Sequence, residues 1–186
     1  MKIAFAWVAL VFVLGCSSVI PPRIDMVAPT SALKLNAIVQ SAMVRTVSLP
    51  TYAAAEEVAF ETSSGLISQN NNLLWADDPA RAVTLTIARQ LDNILTADVS
   101  PEPWPFVNLP DVAMDVRVSR MIAGRNGNFS LEGQYYAGGD AIDFPNSTTS
   151  FAIQVPLTSS QSAEIAQAQA KAILRLSEKI AYSLDR

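Results

Sequence analysis

Reactive side chains are few in this sequence, and their spacing limits what they could do. Cys16 is the sole cysteine, and histidine is absent from all 186 residues. Histidine-based triads, thiolate–histidine pairs, zinc clusters, haem ligation and internal disulfides therefore lose their reagents. The adjacent carboxylates Asp77 and Asp78 could split their pKa values as an acid and base pair. Their position, just before Pro79 and an apolar-periodic run, instead suits the free amides and positive end of a helix. Asp140 and Asp143 flank no EF-hand spacing, so an acidic loop is expected there and no metal is assigned. No Gly-x-Ser-x-Gly elbow and no phosphate-cradling glycine loop occurs. The expectation is a protein that is not an enzyme, with no catalytic residue, metal or cofactor.

One chemistry remains open to Cys16. Met1-Lys2 precedes an apolar run of 12 residues, 3–14, followed by Gly15-Cys16-Ser17-Ser18. That run is well short of the roughly 20 residues a spanning helix needs, but it suits the core of a secretory signal. Val13-Leu14-Gly15-Cys16 resembles the bacterial lipobox, in which the cysteine is acylated and becomes the first residue after cleavage. The resemblance implies a leader over residues 1–15 and a lipid anchor at Cys16. It further implies an envelope location, and Ser17 after the cysteine is the pattern associated with the outer membrane. Two or more acyl chains hold a protein stably on a bilayer, where one alone does not.

Half of the chain is hydrophobic and 16% is charged, a balance that fits one ordinary soluble domain. With 13 basic against 17 acidic residues the net charge is −4, which argues against a nucleic-acid partner. Residues 16–32 contain Pro21, Pro22 and Pro29 and follow no period, so an extended tether is expected there. The domain is expected over residues 33–186.

Residues 33–49 are rich enough in branched side chains for a strand, although residues 31–43 could also form a short helix; the strand is preferred. Val58 and Phe60, then Ser63-Ser64-Gly65 and residues 66–69, predict a hairpin. Asp78-Pro79 opens a helix whose buried stripe is Val83, Ile87, Leu91 and Ile94 or Leu95, and which ends by Asp98. Pro101, Pro103, Pro105 and Pro110 predict a rigid connector around Trp104 and Phe106. Val112, Met114, Val116 and Val118 alternate with polar residues, as do Phe129, Leu131 and Tyr135 beyond them. Asn126-Gly127, a dipeptide that tolerates positive φ at both turn positions, is expected to reverse the chain between these strands. A further strand holds Phe151, Ile153 and Val155. Ser159-Ser160 offers a cap for a last helix reaching about Leu184. This order predicts a single two-layer α+β domain, a mainly antiparallel sheet covered by two helices.

The most specific stretch is Leu73-Leu74-Trp75-Ala76-Asp77-Asp78-Pro79-Ala80-Arg81-Ala82-Val83, continuing to Ile87-Ala88-Arg89-Gln90-Leu91. It resembles the signature of the ABC-type transport auxiliary lipoproteins, the PqiC/YmbA-like family. Val47-Ser48-Leu49-Pro50-Thr51-Tyr52 is similar to that family's Val-x-Leu-Pro-x-Tyr element, and the lipobox and terminal helix are similar too. The resemblance implies an outer-membrane lipoprotein facing the periplasm from the inner leaflet, a subunit of an MCE-type, ABC-linked lipid transport system. Its partners would be an MCE-domain protein, other transport components and the bilayer, with self-association left open. The alternative is a lipid carrier with an acyl-chain pocket between sheet and helices. Tyr52, Trp75, Trp104 and Phe106 are the candidate partner-binding residues. Trp75 could equally staple the helix start onto the core, which is the preferred reading. For Trp104 and Phe106 a connector packed over the sheet edge is preferred to a docking surface.

Overall fold

The computed structural model describes residues 21–139, 144–159 and 161–185. The chain runs β1 (Arg23–Ile24), β2 (Ser41–Val44), α1 (Thr51–Ala54), β3 (Glu57–Glu61), β4 (Ile67–Trp75), α2 (Pro79–Ile94) and β5 (Asp98–Pro101). It continues through β6 (Val112–Ala123), β7 (Asn128–Gly138), β8 (Ser147–Pro156) and α3 (Ser162–Ser183). The class is α+β, as the alternation of strands and helices predicts.

β6 is the spine of an eight-stranded sheet. Along one edge it pairs antiparallel with β7, which pairs antiparallel with β8. The other edge carries two short ladders in series. β2 pairs parallel with the start of β6, Ser48 bridges Arg117 midway, and Phe60 of β3 reaches Ala123 at the end. β5 lies parallel outside β2; β4 lies antiparallel outside β3, with β1 parallel beyond it. The long ladders are thus antiparallel and the short ones mostly parallel. Val112, Met114, Val116 and Val118 point from β6 into the core, while Arg117 and Ser119 on the opposite face meet water.

The two long helices close the inner face and touch each other. Asp78 caps α2, its carboxylate accepting the Arg81 amide at 2.7 Å, and Pro79 fits the first turn because its missing N–H had no partner there. Val83, Ile87, Leu91 and Ile94 are buried along one stripe. In α3 the stripe is Ile165, Ala168, Ala172, Leu176 and Ile180. Its N-cap is Gln161, with no side-chain cap, in place of the expected serine pair. Glu164 reaches back instead: one carboxylate oxygen accepts the Thr158 N–H at 2.7 Å and also the Thr158 hydroxyl, and the other accepts the Ser159 hydroxyl at 3.2 Å. The Thr158 hydroxyl, then its amide, holds this carboxyl below the usual glutamate range.

Three expectations are corrected, and the expected β6–β7 reversal is given its turn geometry. Within residues 33–49 only Ser41–Val44 forms a strand. The preceding stretch crosses the ends of both long helices, where the Leu35 amide donates to Ile94 O at 2.8 Å and the Ile38 amide to Leu184 O at 2.9 Å. Its amides therefore satisfy the free carbonyls of helix ends rather than a ladder. The expected tether is docked from Pro22 onward: Pro22 O accepts the Leu74 amide at 3.1 Å, Met26 and Ala28 are buried, and the Gln90 side chain bonds Pro29 O and the Ser31 amide. An irregular segment whose polar backbone is met by a helix side chain shows no period in sequence. Residues 98–101 are a strand where a connector was expected. Finally, only Gly127 has positive φ in the β6–β7 turn. Its amide donates to Gly124 O at 3.2 Å, and Asn126 Oδ1 accepts the Asn128 amide at 3.2 Å. The loop is thus a turn centred on Arg125 and Asn126 with glycine in the left-handed position after it.

Candidate functional site

The signature positions serve closure of the fold. Ser48 bonds β6 in both directions, its amide to Val116 O at 3.0 Å and its carbonyl from the Val118 amide at 2.9 Å. Pro50 then caps α1, which carries Tyr52 across the gap between the two short ladders. There the half-buried Tyr52 hydroxyl accepts the Met121 amide at 3.2 Å, beside the irregularity in β6 between Val118 and Arg120. Trp75 ends β4 and is 7% exposed, within the core cluster. Its amide donates to Glu56 O at 2.7 Å, and its carbonyl accepts the Arg23 guanidinium at 2.8 Å. Trp75 therefore presents almost no surface to a partner, and Tyr52 presents little.

Asp77 pairs with Arg81 one helical turn on, and also accepts the Asp78 amide at 2.9 Å. Both carboxylates are engaged at the helix start. Asp140, Asp143 and Cys16 lie outside the described residues. Among the described residues no three acidic or cysteine side chains converge as metal ligands, and no helix is long and apolar enough to cross a membrane.

The proline-rich segment departs from the preferred reading. It leaves β5 on one side of β2 and returns to β6 on the other, its ends fixed by the Glu102 amide on Val44 O at 2.8 Å and by Asp111, whose carboxylate accepts the Gln40 and Ser41 amides. Between them the indole N–H of Trp104 donates to Asn108 O at 2.6 Å, and the Trp104 and Phe106 rings meet edge to face at 5.0 Å. Trp104 is half-buried, Phe106 is 55% exposed, Leu109 is 77% exposed and Val107 is fully exposed. This is an apolar surface, not a connector hidden over the sheet edge. Val107 and Leu109 escaped the sequence reading; the signal available was an apolar run without alternation, bracketed by prolines. At the root of the loop a depression of about 460 Å³ is lined by Asp78, Arg81, Leu85, Glu102 and Pro103.

On the outer sheet face Asp115 and Arg117 pair at 2.8 Å, and Arg117 stacks 4.9 Å from the centre of the Tyr136 ring. Hydrogen bonding to Arg117 holds the Asp115 carboxyl below its ordinary value against a modest opposing effect of burial; the charges of Arg117 and Arg45 add to it. The same pairing raises Arg117. Gly133 lies opposite Val118, the residue after Arg117, and a side chain there has no room: a Cβ would lie 2.2 Å from Arg117 O and 2.9 Å from Val118 Cα.

Fold and site together define a two-layer α+β domain whose signature residues hold strands and helix starts in place and which exposes an apolar loop at residues 103–110. Residues 25–181 match the ABC-type transport auxiliary lipoprotein component family, and the chain belongs to it. Two crystal structures share the fold. One, of an uncharacterized protein, is 16% identical with a TM-score of 0.67, over 89% of this chain and 99% of that one. The other, protein XCC0632 from Xanthomonas campestris, of the family DUF330, is 15% identical with a TM-score of 0.67, over 90% and 95%. No curated protein matches by sequence.

Proposed function

We infer that the chain is a lipoprotein anchored through Cys16 in the inner leaflet of the bacterial outer membrane, facing the periplasm. It acts there as a subunit of an MCE-type, ABC-linked system that moves lipid between membranes, by contact with the MCE-domain protein and other transport components rather than by bond chemistry. The observation that carries this reading is the family match over residues 25–181, joined to a sole cysteine at the end of a lipobox-like segment. The absence of histidine and the structural duties of Asp77 and Asp78 are in keeping with it. The lipid-carrier alternative would have to use the depression of about 470 Å³ between β3, β4 and the start of α3, where Val58, Phe60 and Ile165 are joined by Gln69, Asn70, Asn71, Asn72 and Ser162, a polar wall that suits an acyl chain poorly.

The test is Cys16→Ser with fractionation, intact mass and crosslinked pull-down from envelope membranes. Wild type is expected in the outer-membrane fraction with an acylated N-terminus and an MCE-domain protein among its crosslinks. The variant is expected soluble or uncleaved. An unmodified mass with unchanged fractionation rejects the anchor, and crosslinks that lack any transport component reject the assembly role.

A further inference from the structure

We propose that the loop carrying Trp104, Phe106, Val107 and Leu109 docks on the lipid surface that holds the acyl anchor, its apolar side chains entering the headgroup and upper acyl region. The proposal rests on the anchoring reading above.

Contiguous exposed apolar side chains on a water-soluble domain mark contact with protein or lipid. Here they are presented by a stiff frame. Pro103, Pro105 and Pro110 restrict the backbone, and the Trp104 indole bond to Asn108 O closes the loop on itself, so little freedom is left to lose on docking. Residues 103–110 contain no charged side chain; Trp is a residue type that settles at a membrane interface, and Phe and Leu supply the apolar area that enters it.

Position selects lipid. Pro103, at the root of the loop, lines a depression with Asp78 and Arg81 at the first turn of α2. Ile24 and Asp25, where the chain joins the domain, line another with Asp77 and Pro79 at that same turn. The root of the loop and the point where the chain enters the domain thus both border the first turn of α2. Because Pro22 is already bonded to Leu74, only six peptide steps join it to Cys16, a reach of at most about 21 Å. An anchor on so short a lead brings this end of the domain, and the loop with it, to the bilayer.

The experiment uses the acylated full protein in phosphatidylethanolamine and phosphatidylglycerol vesicles whose acyl chains are brominated near the headgroup. After processing the tryptophans are Trp75 and Trp104, and buried Trp75 serves as the unquenched reference. Bromolipid is expected to quench the Trp104 emission, with quenching lost in Trp104→Phe and sharply reduced in Val107→Asp/Leu109→Asp at an unchanged melting temperature. Val107 is fully exposed and Leu109 largely so, so neither substitution removes a side chain from the core. Protein that floats with the vesicles yet shows no quenching overturns the docking while leaving the anchor intact. Protein that does not float overturns both. Absent quenching with lost crosslinking of an envelope protein in the double variant gives the loop to a protein partner and also overturns the proposal.

Discussion

The Tyr52 hydroxyl accepts the backbone amide of Met121 at 3.2 Å, although the two residues lie 69 positions apart. That amide belongs to the edge of β6 where the ladder to β2 has ended and the ladder to β3 has yet to begin. Tyr52→Phe leaves the donor without its partner in a partly buried place, and a lost bond of this kind costs about 1–3 kcal/mol. Thermal melting should fall by several degrees, and hydrogen exchange at Met121 should accelerate. Unchanged exchange at Met121 would show that the bond contributes nothing.

Gly133→Ala places a methyl group 2.2 Å from Arg117 O, and backbone cannot swing aside as a flexible side-chain end can. The β6–β7 pairing must shift, at a cost on the order of 2 kcal/mol or more. Urea unfolding should report a large drop in midpoint. A midpoint within error of wild type would mean the two strands separate freely at this site.

Trp75→Ala removes a large side chain from the core beside the start of α2 and should cost about 3–5 kcal/mol, a large fraction of a domain's stability. The protein is expected to be scarce or unfolded. A normally stable variant that no longer captures its envelope partners would move Trp75 from the core to an interface.

Glu164 makes the start of α3 sensitive to acid. Its carboxyl is held below the usual range in the folded protein, so its contribution is present above the unfolded value and is lost as pH falls through the folded one. Glu164→Gln should lower the melting temperature at neutral pH and flatten the decline on the acid side. Parallel wild-type and variant curves across the carboxylate range would remove Glu164 from the account.

Sequence made α2 legible because its start and its stripe agree: Asp78 and Pro79 mark one end, and Val83, Ile87 and Leu91 repeat at one period. The β6–β7–β8 meander was equally plain, since buried and wetter residues alternate over Val112–Val118 and Phe151–Val155. Segments whose backbone is satisfied by something other than a ladder left no such trace. Residues 33–40 bond helix ends, Met26 and Ala28 are buried without periodicity, and β5 has four residues with a proline last. At the candidate site, the role of Tyr52 depends on an amide that a strand irregularity leaves free, which no side-chain pattern records. The exposure of Phe106, Val107 and Leu109 was hidden for a related reason: an apolar run among prolines reads the same whether it is covered or open.

The shallow seat of β1 sets how the domain answers a pull. Tension on the chain upstream of Pro22 meets first the Pro22–Leu74 and Ile24–Ala76 hydrogen bonds and the Arg23 contacts to Trp75 O and Glu56. Those few links lie outside the β6–β7–β8 ladders and the helix layer, and they are the ones a load reaches before any other. A tug from the N-terminal side therefore works on β1 before it reaches the Gln90 and Gln169 bonds that tie residues 26–31 to α2 and α3. Yielding at this leash frees the residues of β1 and lengthens the chain ahead of the core without opening it.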